Sequence, residues 1–223
     1  PIVPITDLTI KNNSLIVATQ GRSLWMIDDL TVLHQNYISH DLQKNFLYKP
    51  KDTYRIAGGK SNRNKLTEGE NLDNGVITYF NIPTYTENDE VSLTYLNTNR
   101  DTIVSFGTKL KEKKKLNVKK GANKFAWNMY YDGASDFKGM VLWWASLSGP
   151  KAVPGNYYVD LNVNGEVISK SFNILIDPRS ESSVLNMQEQ FNFITSINQT
   201  VDKSHKSIKK IRNIKNQLSK FIT

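Results

Sequence analysis

Residues 121–131 have the sequence GANKFAWNMYY, in which apolar side chains recur at every second position. The alternating residues are Phe125, Trp127, Met129 and Tyr131. A period of two residues is typical of a β-strand that buries one face. The segment therefore predicts a strand of a β-sandwich, with Trp127 in the core.

A second alternating segment, residues 157–163 (YYVDLNV), follows a loop rich in glycine and aromatic residues. Its apolar face consists of Tyr157, Val159, Leu161 and Val163. Asn164 and Gly165 come next, and both tolerate the positive φ angles that a type I′ hairpin turn requires. A return strand then extends to Ile176, with one slip in the alternation at Lys170. Three β elements with one apolar face each require a second sheet to cover them.

Further short apolar segments complete a β-rich domain between residues 74 and 178. They occur at residues 76–82, 91–95, 102–106 and 116–118. Together with the three elements above they make about seven strands, which is the number expected of an immunoglobulin-like β-sandwich. The polar segment 58–74 predicts a mobile loop before this domain.

The N-terminal segment predicts three short strands, at residues 5–10, 14–19 and 23–27. Three short strands with tight turns do not bury both faces of their sheet alone. Trp25 is expected in the core of this element. We expect Asp28 or Asp29 to cap the N-terminus of a short helix that continues through His34.

The C-terminal segment, residues 179–223, predicts a long helix because apolar residues recur there at spacings of three and four. These residues are Met187, Phe191, Ile194, Ile197, Val201, Ile208, Ile211, Leu218 and Ile222. The pattern fits one helix or two helices broken near Lys203. A single helix of about 40 residues is roughly 60 Å long. Because that exceeds what a small sandwich covers, we expect its apolar stripe to need another partner.

The composition limits the classes of chemistry that the chain supports. The 223 residues include no cysteine, which excludes disulfides, cysteine-ligated zinc and thiol nucleophiles. No segment approaches the roughly 20 consecutive apolar residues of a membrane-spanning helix. The sequence begins at Pro1 without an initiator methionine and ends inside a helical pattern, so we expect a piece of a longer protein.

The net charge of +8 and the isoelectric point near 9.4 make nucleic acid a candidate partner. The distribution of charge argues against it, because residues 202–223 carry seven basic side chains and one acidic one. We expect these basic residues to form a solvent-exposed helix face whose acidic partner is missing from this chain. A second basic cluster, Lys109, Lys111, Lys113, Lys114 and Lys115, predicts an exposed hairpin tip or sheet edge.

No catalytic, metal or cofactor site is predicted. His34, His40 and His205 lie on different elements without metal-ligand spacing. The sequence shows no pair of acidic residues of the kind that glycosidases use. The candidate acidic residues are Asp7, Asp28, Asp29, Asp132, Asp136 and Asp160. The sequence has no nucleophile elbow, and Gly59-Lys60-Ser61 lacks the upstream glycine of a phosphate-binding loop.

Trp143 and Trp144 are the candidate ligand-binding residues. Adjacent residues in an extended segment point to opposite sides, so at most one of the two indoles lies in a core. The other either packs against a neighbouring element, which we favour, or stacks on a sugar ring as in carbohydrate-binding sandwiches.

The sequence resembles a known family at several positions in order. ITDL at 5–8, LIVATQGRSLW at 15–25 and IDDL at 27–30 are similar to the last blade of the β-propeller in bacterial sortilin-like proteins with BNR-type repeats. Gln20 stands where that pattern has histidine, and Ser23-Leu24 where it has Gly-Ile. Further similar segments are LYKP at 47–50, NGVI at 74–77, NKFAWN at 123–128, GM at 139–140, PGNY at 154–157 and DPRS at 177–180.

The resemblance implies four parts: a last-blade remnant with a short helix (1–48), a linker (49–73), an immunoglobulin-like sandwich (74–178) and a helical segment (179–223). Proteins of this kind are labelled glycosyl hydrolases and are exported. Their active site would lie in the propeller, so this chain is expected to be a non-catalytic scaffold and assembly module. Its implied partners are the rest of its own polypeptide, including a helix after residue 223, or a second copy bound through the helix. The alternatives are a carbohydrate-binding module that uses Trp143 or Trp144, and part of a glycoside hydrolase.

Overall fold

A computed structural model of the chain describes residues 2–39, 43–56 and 73–222. These residues form a mainly β protein with three sheets and a long C-terminal helix. The strands are β1 (Ile5–Lys11), β2 (Ser14–Thr19), β3 (Leu24–Ile27), β4 (Phe46–Leu47), β5 (Thr53–Tyr54), β6 (Val76–Ile82), β7 (Val91–Leu96), β8 (Thr102–Gly107), β9 (Gly121–Trp127), β10 (Gly155–Val163) and β11 (Glu166–Leu175). The α-helices are α1 (Thr31–Ser39) and α2 (Val184–Ile222).

Strands β1, β2 and β3 form an antiparallel sheet by themselves, which confirms the three strands predicted at the N-terminus. Helix α1 follows, and it extends beyond the predicted end at His34. The Asp29 carboxylate accepts a hydrogen bond from the backbone N–H of Thr31 at 3.0 Å. This side chain therefore satisfies a donor that the first helical turn leaves without an intrahelical partner.

The other two sheets share one core. One has the strand order β5-β11-β10-β7-β8 and curls into a half-barrel, and the second has the order β4-β6-β9. All pairings are antiparallel except the short one between β5 and β11. Strands β4 and β5 thus belong to the core sheets, although they lie where the sequence predicts the end of the blade and a linker. The predicted loop at 58–74 lies outside the described residues, apart from its last two.

The hairpin of β10 and β11 forms as the sequence predicts. Asn164 and Gly165 have φ angles of 52° and 96°, and Val163 pairs with Glu166 across the turn. The predicted inner face of β10 is buried. The slip in β11 has a physical reason, because the Lys170 ammonium lies 5.6 Å from the ring centroid of Phe46.

Aromatic side chains join the two core sheets. The rings of Tyr95 on β7 and Trp127 on β9 are stacked with their centroids 4.6 Å apart. The Tyr95 hydroxyl also shares a buried hydrogen bond of 2.7 Å with the Thr78 hydroxyl on β6. Trp127 is 1% exposed, which confirms the predicted core position.

Two strand predictions in the middle of the chain are wrong in part. Residues 116–118 form no strand; they follow a short 3₁₀-helix, Glu112–Lys114. Leu116 is nevertheless buried, and its backbone N–H donates to the Gly107 carbonyl at 3.0 Å. Strand β9 ends at Trp127 rather than continuing to residue 131. Met129 is buried with a φ of 65°, so its alternation with Trp127 arises from a turn and not from a strand.

Helix α2 is one continuous helix of 39 residues, which decides between the one-helix and two-helix alternatives. Its length is about 58 Å at 1.5 Å per residue. The hydroxyl of Ser183 caps it by accepting the backbone N–H of Asn186 at 3.1 Å. Pro and Gly are absent from the helix, so nothing interrupts its hydrogen-bond ladder.

Candidate functional site

The loop between Met129 and Lys151 is closed at its base. The Tyr131 N–H donates to the Pro150 carbonyl and the Ala134 N–H to the Leu147 carbonyl, each at 3.0 Å. The two sides approach so closely that a Cβ on Gly133 would lie 1.6 Å from the Leu147 carbonyl oxygen. The base therefore requires glycine at this position.

This loop lies along helix α2 and is fixed to it by polar contacts. The backbone N–H of Ser135 donates to the Asp202 carboxylate at 3.0 Å, and the Ser135 carbonyl lies 2.5 Å from Nδ1 of His205. The Phe137 ring packs edge-to-face on His205 at 5.0 Å and under the Arg212 guanidinium at 4.8 Å. His205 thus contacts the loop through one hydrogen bond and one ring contact.

The start of α2 is packed more tightly than its end. Met187 is buried, and the Phe191 ring lies edge-to-face on Tyr131 with centroids 4.8 Å apart. After Arg212, every described side chain of the helix is exposed. The last three turns therefore extend beyond the described body of the chain.

The tip of the loop presents the two predicted ligand-binding residues to solvent. Trp143 is 84% exposed and Trp144 is 94% exposed, and their rings meet edge-to-face at 6.5 Å. Neither indole lies in a core, and among the described residues neither packs into a neighbouring element. The structure thus brings both candidates together on one exposed turn.

A groove of about 930 Å³ lies between β9, the base of the loop and the start of α2. Arg55 donates from Nε to the Ala152 carbonyl at 2.9 Å, and Lys151 donates from Nζ to the Ile56 carbonyl at 2.7 Å. The Lys151 ammonium lies 5.9 Å from the ring centroid of Tyr130. Two cations are therefore held side by side in the groove by backbone carbonyls.

Burial lowers the pKa of Lys151, and the charge of Arg55 lowers it further. The two carboxylates at the groove wall belong to other ion pairs, Asp73 with Lys124 at 2.9 Å and Asp177 with Arg179 at 2.8 Å. Within the described residues, neither Arg55 nor Lys151 forms an ion pair with a carboxylate. The sequence does not reveal this groove, because its residues are distant along the chain.

The sheet of β1 to β3 has one predominantly apolar face. Antiparallel partners share a face, and the pairs are Leu8 with Val17, Ile10 with Leu15, Val17 with Trp25 and Leu15 with Ile27. Trp25 on this face is 53% exposed, so the prediction of a core position is wrong for the described chain. The side chain is exposed because no described element covers the sheet there.

Helix α2 carries a second, outward stripe with alternating spacings of four and three residues. It consists of Phe193, Ile197, Thr200, Ser204, Ser207, Ile211, Ile214, Leu218 and Phe221, all exposed. This spacing is the heptad pattern of a coiled-coil seam. Ser204 and Ser207 donate to the carbonyls of Thr200 and Lys203 at 3.0 Å, so the hydroxyls in the seam are satisfied locally. Ile197, Ile211 and Leu218 belong to the apolar stripe that the sequence predicts. The rest of the seam was not predicted, because its middle positions are polar.

Three of the candidate acids have structural partners in the described residues. Asp29 caps α1, Asp132 pairs with Lys114, and Asp160 lies 3.5 Å from Arg100. Across residues 2–39, 43–56 and 73–222, no three histidine or carboxylate side chains cluster as metal ligands would. In the same ranges, no helix has both the length and the apolar composition needed to cross a bilayer. His40 lies outside the described residues.

Comparison with models of known protein families finds no match to this chain, and comparison with curated proteins finds no similar sequence. Any proposal for the function of the chain therefore rests on the surfaces described above.

Proposed function

We propose that this chain is a non-catalytic accessory module of a larger exported protein, in which it provides scaffold and assembly surfaces. The observation that carries this proposal is the exposure of two ordered apolar surfaces, the β1–β3 sheet face and the outward stripe of α2. Clustered exposed apolar side chains on an ordered element are typical of an interface.

The sheet face fits the role of an unclosed propeller blade. Propeller blades have four strands and pack face to face around a channel, whereas β1 to β3 form three strands with one apolar face exposed. In this proposal, another part of the polypeptide covers Trp25 and its neighbours, as the resemblance to sortilin-like propellers implies. The two core sheets, with their common aromatic core, would be an immunoglobulin-like sandwich beside it.

The outward stripe of α2 fits a helical partner with acidic flanks. Lys203 and Lys210 precede seam positions, and Lys215 follows one, so the charged residues that flank the seam are all basic. In a parallel pair of identical helices, like charges would face each other, which disfavours a second copy. We therefore propose an acidic amphipathic helix of the same polypeptide as the partner, with a homodimer as the rival outcome.

Sedimentation equilibrium distinguishes these two partners. We expect the purified chain to remain largely monomeric at 0.15 M salt and to bind an apolar dye at the exposed faces. A stable dimer would favour the second copy. A monomer that binds no dye would contradict both assembly surfaces.

A second candidate function is carbohydrate binding by the loop tip. It is favoured by the exposure of Trp143 and Trp144 on a loop whose base and side are fixed, because a rigid aromatic platform binds at little entropic cost. Titration of tryptophan fluorescence with a panel of neutral oligosaccharides tests it. A saturable change that Trp143→Ala or Trp144→Ala abolishes would support it, and no change across the panel would reject it.

A further inference from the structure

The groove beside α2 holds a positive charge that the described chain does not neutralise. Asp73 and Lys124 pair with each other, and so do Asp177 and Arg179. Arg55 and Lys151 remain, each fixed by one hydrogen bond to a backbone carbonyl. Each retains further N–H donors, because a guanidinium has five and an ammonium has three.

The other walls of the groove offer groups that suit a sugar ring. Tyr130 is partly exposed there, and Asn128 and Gln190 contribute amides. A ring stacked on Tyr130 would have its substituents near the Lys151 ammonium, which lies 5.9 Å from the centroid of the tyrosine ring. The volume of about 930 Å³ is within the range of ligand pockets, roughly 300–1,000 Å³.

We propose that this groove binds an acidic saccharide, with the carboxylate of a uronate residue held by Arg55 and Lys151. An arginine binds a carboxylate through two parallel hydrogen bonds, and a neighbouring lysine adds a second charge. Tyr130 then stacks on the sugar ring, and the amides of Asn128 and Gln190 bind its hydroxyl groups. This inference is independent of the scaffold role and does not use the tryptophans of the loop tip.

Burial and the nearby Arg55 charge together lower the pKa of Lys151, so the ammonium is less well stabilised in the empty groove than in water. A bound carboxylate would offset this repulsion between the two cations. An uncharged sugar would not offset this repulsion, so the groove should bind acidic saccharides more tightly than neutral ones.

Isothermal titration calorimetry tests the proposal with trigalacturonate and a glucuronate trisaccharide. The fully methyl-esterified trigalacturonate is the matched neutral probe, because it keeps the rings and removes the charge. We expect saturable binding of at least one acidic trisaccharide, and binding of the ester at least about tenfold weaker. No binding of either acidic probe, or equal binding of acid and ester, would overturn the proposal.

Variants and a small anion locate the site. Lys151→Met and Arg55→Gln should each weaken binding about tenfold or more, whereas Lys151→Arg should retain it and control for folding. Lys170→Met, which removes a cation from the middle of β11, should leave binding unchanged, as should Trp143→Ala. Binding that survives Lys151→Met would contradict the site. Inorganic phosphate that binds as tightly as the acidic trisaccharide would contradict the saccharide assignment.

Discussion

The carboxylate of Asp202 on α2 accepts the backbone N–H of Ser135 at 3.0 Å and thereby joins the long loop to the helix. The same carboxylate pairs with Lys206 one turn later on the helix, at 2.6 Å. Lys206 and, after it, Ser135 hold the pKa of Asp202 well below its ordinary value. The contact is thus a charged link between the loop and α2.

Asp202→Asn should lower the melting temperature at pH 7, and the difference from the wild type should shrink in acid. A carboxyl group whose pKa is lowered by folding stabilises the folded state above its unfolded pKa of about 3.9. That contribution is lost as the pH falls from there toward the folded pKa. Thermal unfolding between pH 7 and pH 2.5 measures it, with Glu189→Gln, an exposed carboxylate on the same helix, as the control. A difference that is constant across this range would contradict the link.

Gly133→Ala should destabilise the chain by about 2 kcal/mol or more, because the new Cβ would overlap the Leu147 carbonyl oxygen. Gly155→Ala is the matched control, since the nearest atom outside the adjacent residues lies 3.9 Å from its Cβ position. The control should change stability by no more than about 0.5 kcal/mol. Urea denaturation of both variants gives the comparison. Equal stability of the two would show that the base of the loop opens without cost.

Tyr95→Phe should cost about 1–3 kcal/mol, because it leaves the buried Thr78 hydroxyl without its partner across the two sheets. Adding Thr78→Val should recover most of the loss, since both polar groups are then absent. A double-mutant cycle by urea denaturation measures the coupling. Losses that are simply additive would mean that the hydrogen bond does not join the sheets.

Trp127→Ala and Trp144→Ala should differ sharply in stability. Trp127 fills the core between the sheets, and its truncation should cost about 3–5 kcal/mol. Trp144 is almost fully exposed, so its truncation should cost less than about 0.5 kcal/mol. Thermal and urea unfolding of both variants provide the test. A large loss for Trp144→Ala would show that the loop tip packs into the chain.

The sequence predicts those elements whose signal is local. Asn164 and Gly165 specify a turn by their own backbone preferences, and the alternation before them specifies the buried face of β10. Residues 116–118 have the same kind of alternation but form no strand. Three residues form too few inter-strand hydrogen bonds to stabilise a strand. Leu116 is buried without one, which accounts for its apolar character.

The groove and the outward stripe were not predictable in the same way. Arg55 and Lys151 are distant in the sequence. They come together through the contacts of Arg55 with Ala152 and of Lys151 with Ile56, next to the parallel pairing of β5 with β11. No spacing in the chain encodes that pairing. The stripe of α2 does have a spacing signal, but Thr200, Ser204 and Ser207 interrupt its apolar pattern. Its assignment required the exposed positions of the folded helix.

The most direct test of the assembly role is binding of a synthetic helical peptide with leucine at its core positions and glutamate at its flanks. Fluorescence anisotropy should show saturable binding to the wild type that the double variant Ile211→Glu, Leu218→Glu loses. The variant Gln199→Glu, Asn216→Glu adds the same two charges on another face of α2 and should bind normally. Binding that the stripe variant retains, or no binding to the wild type, would contradict α2 as a docking helix.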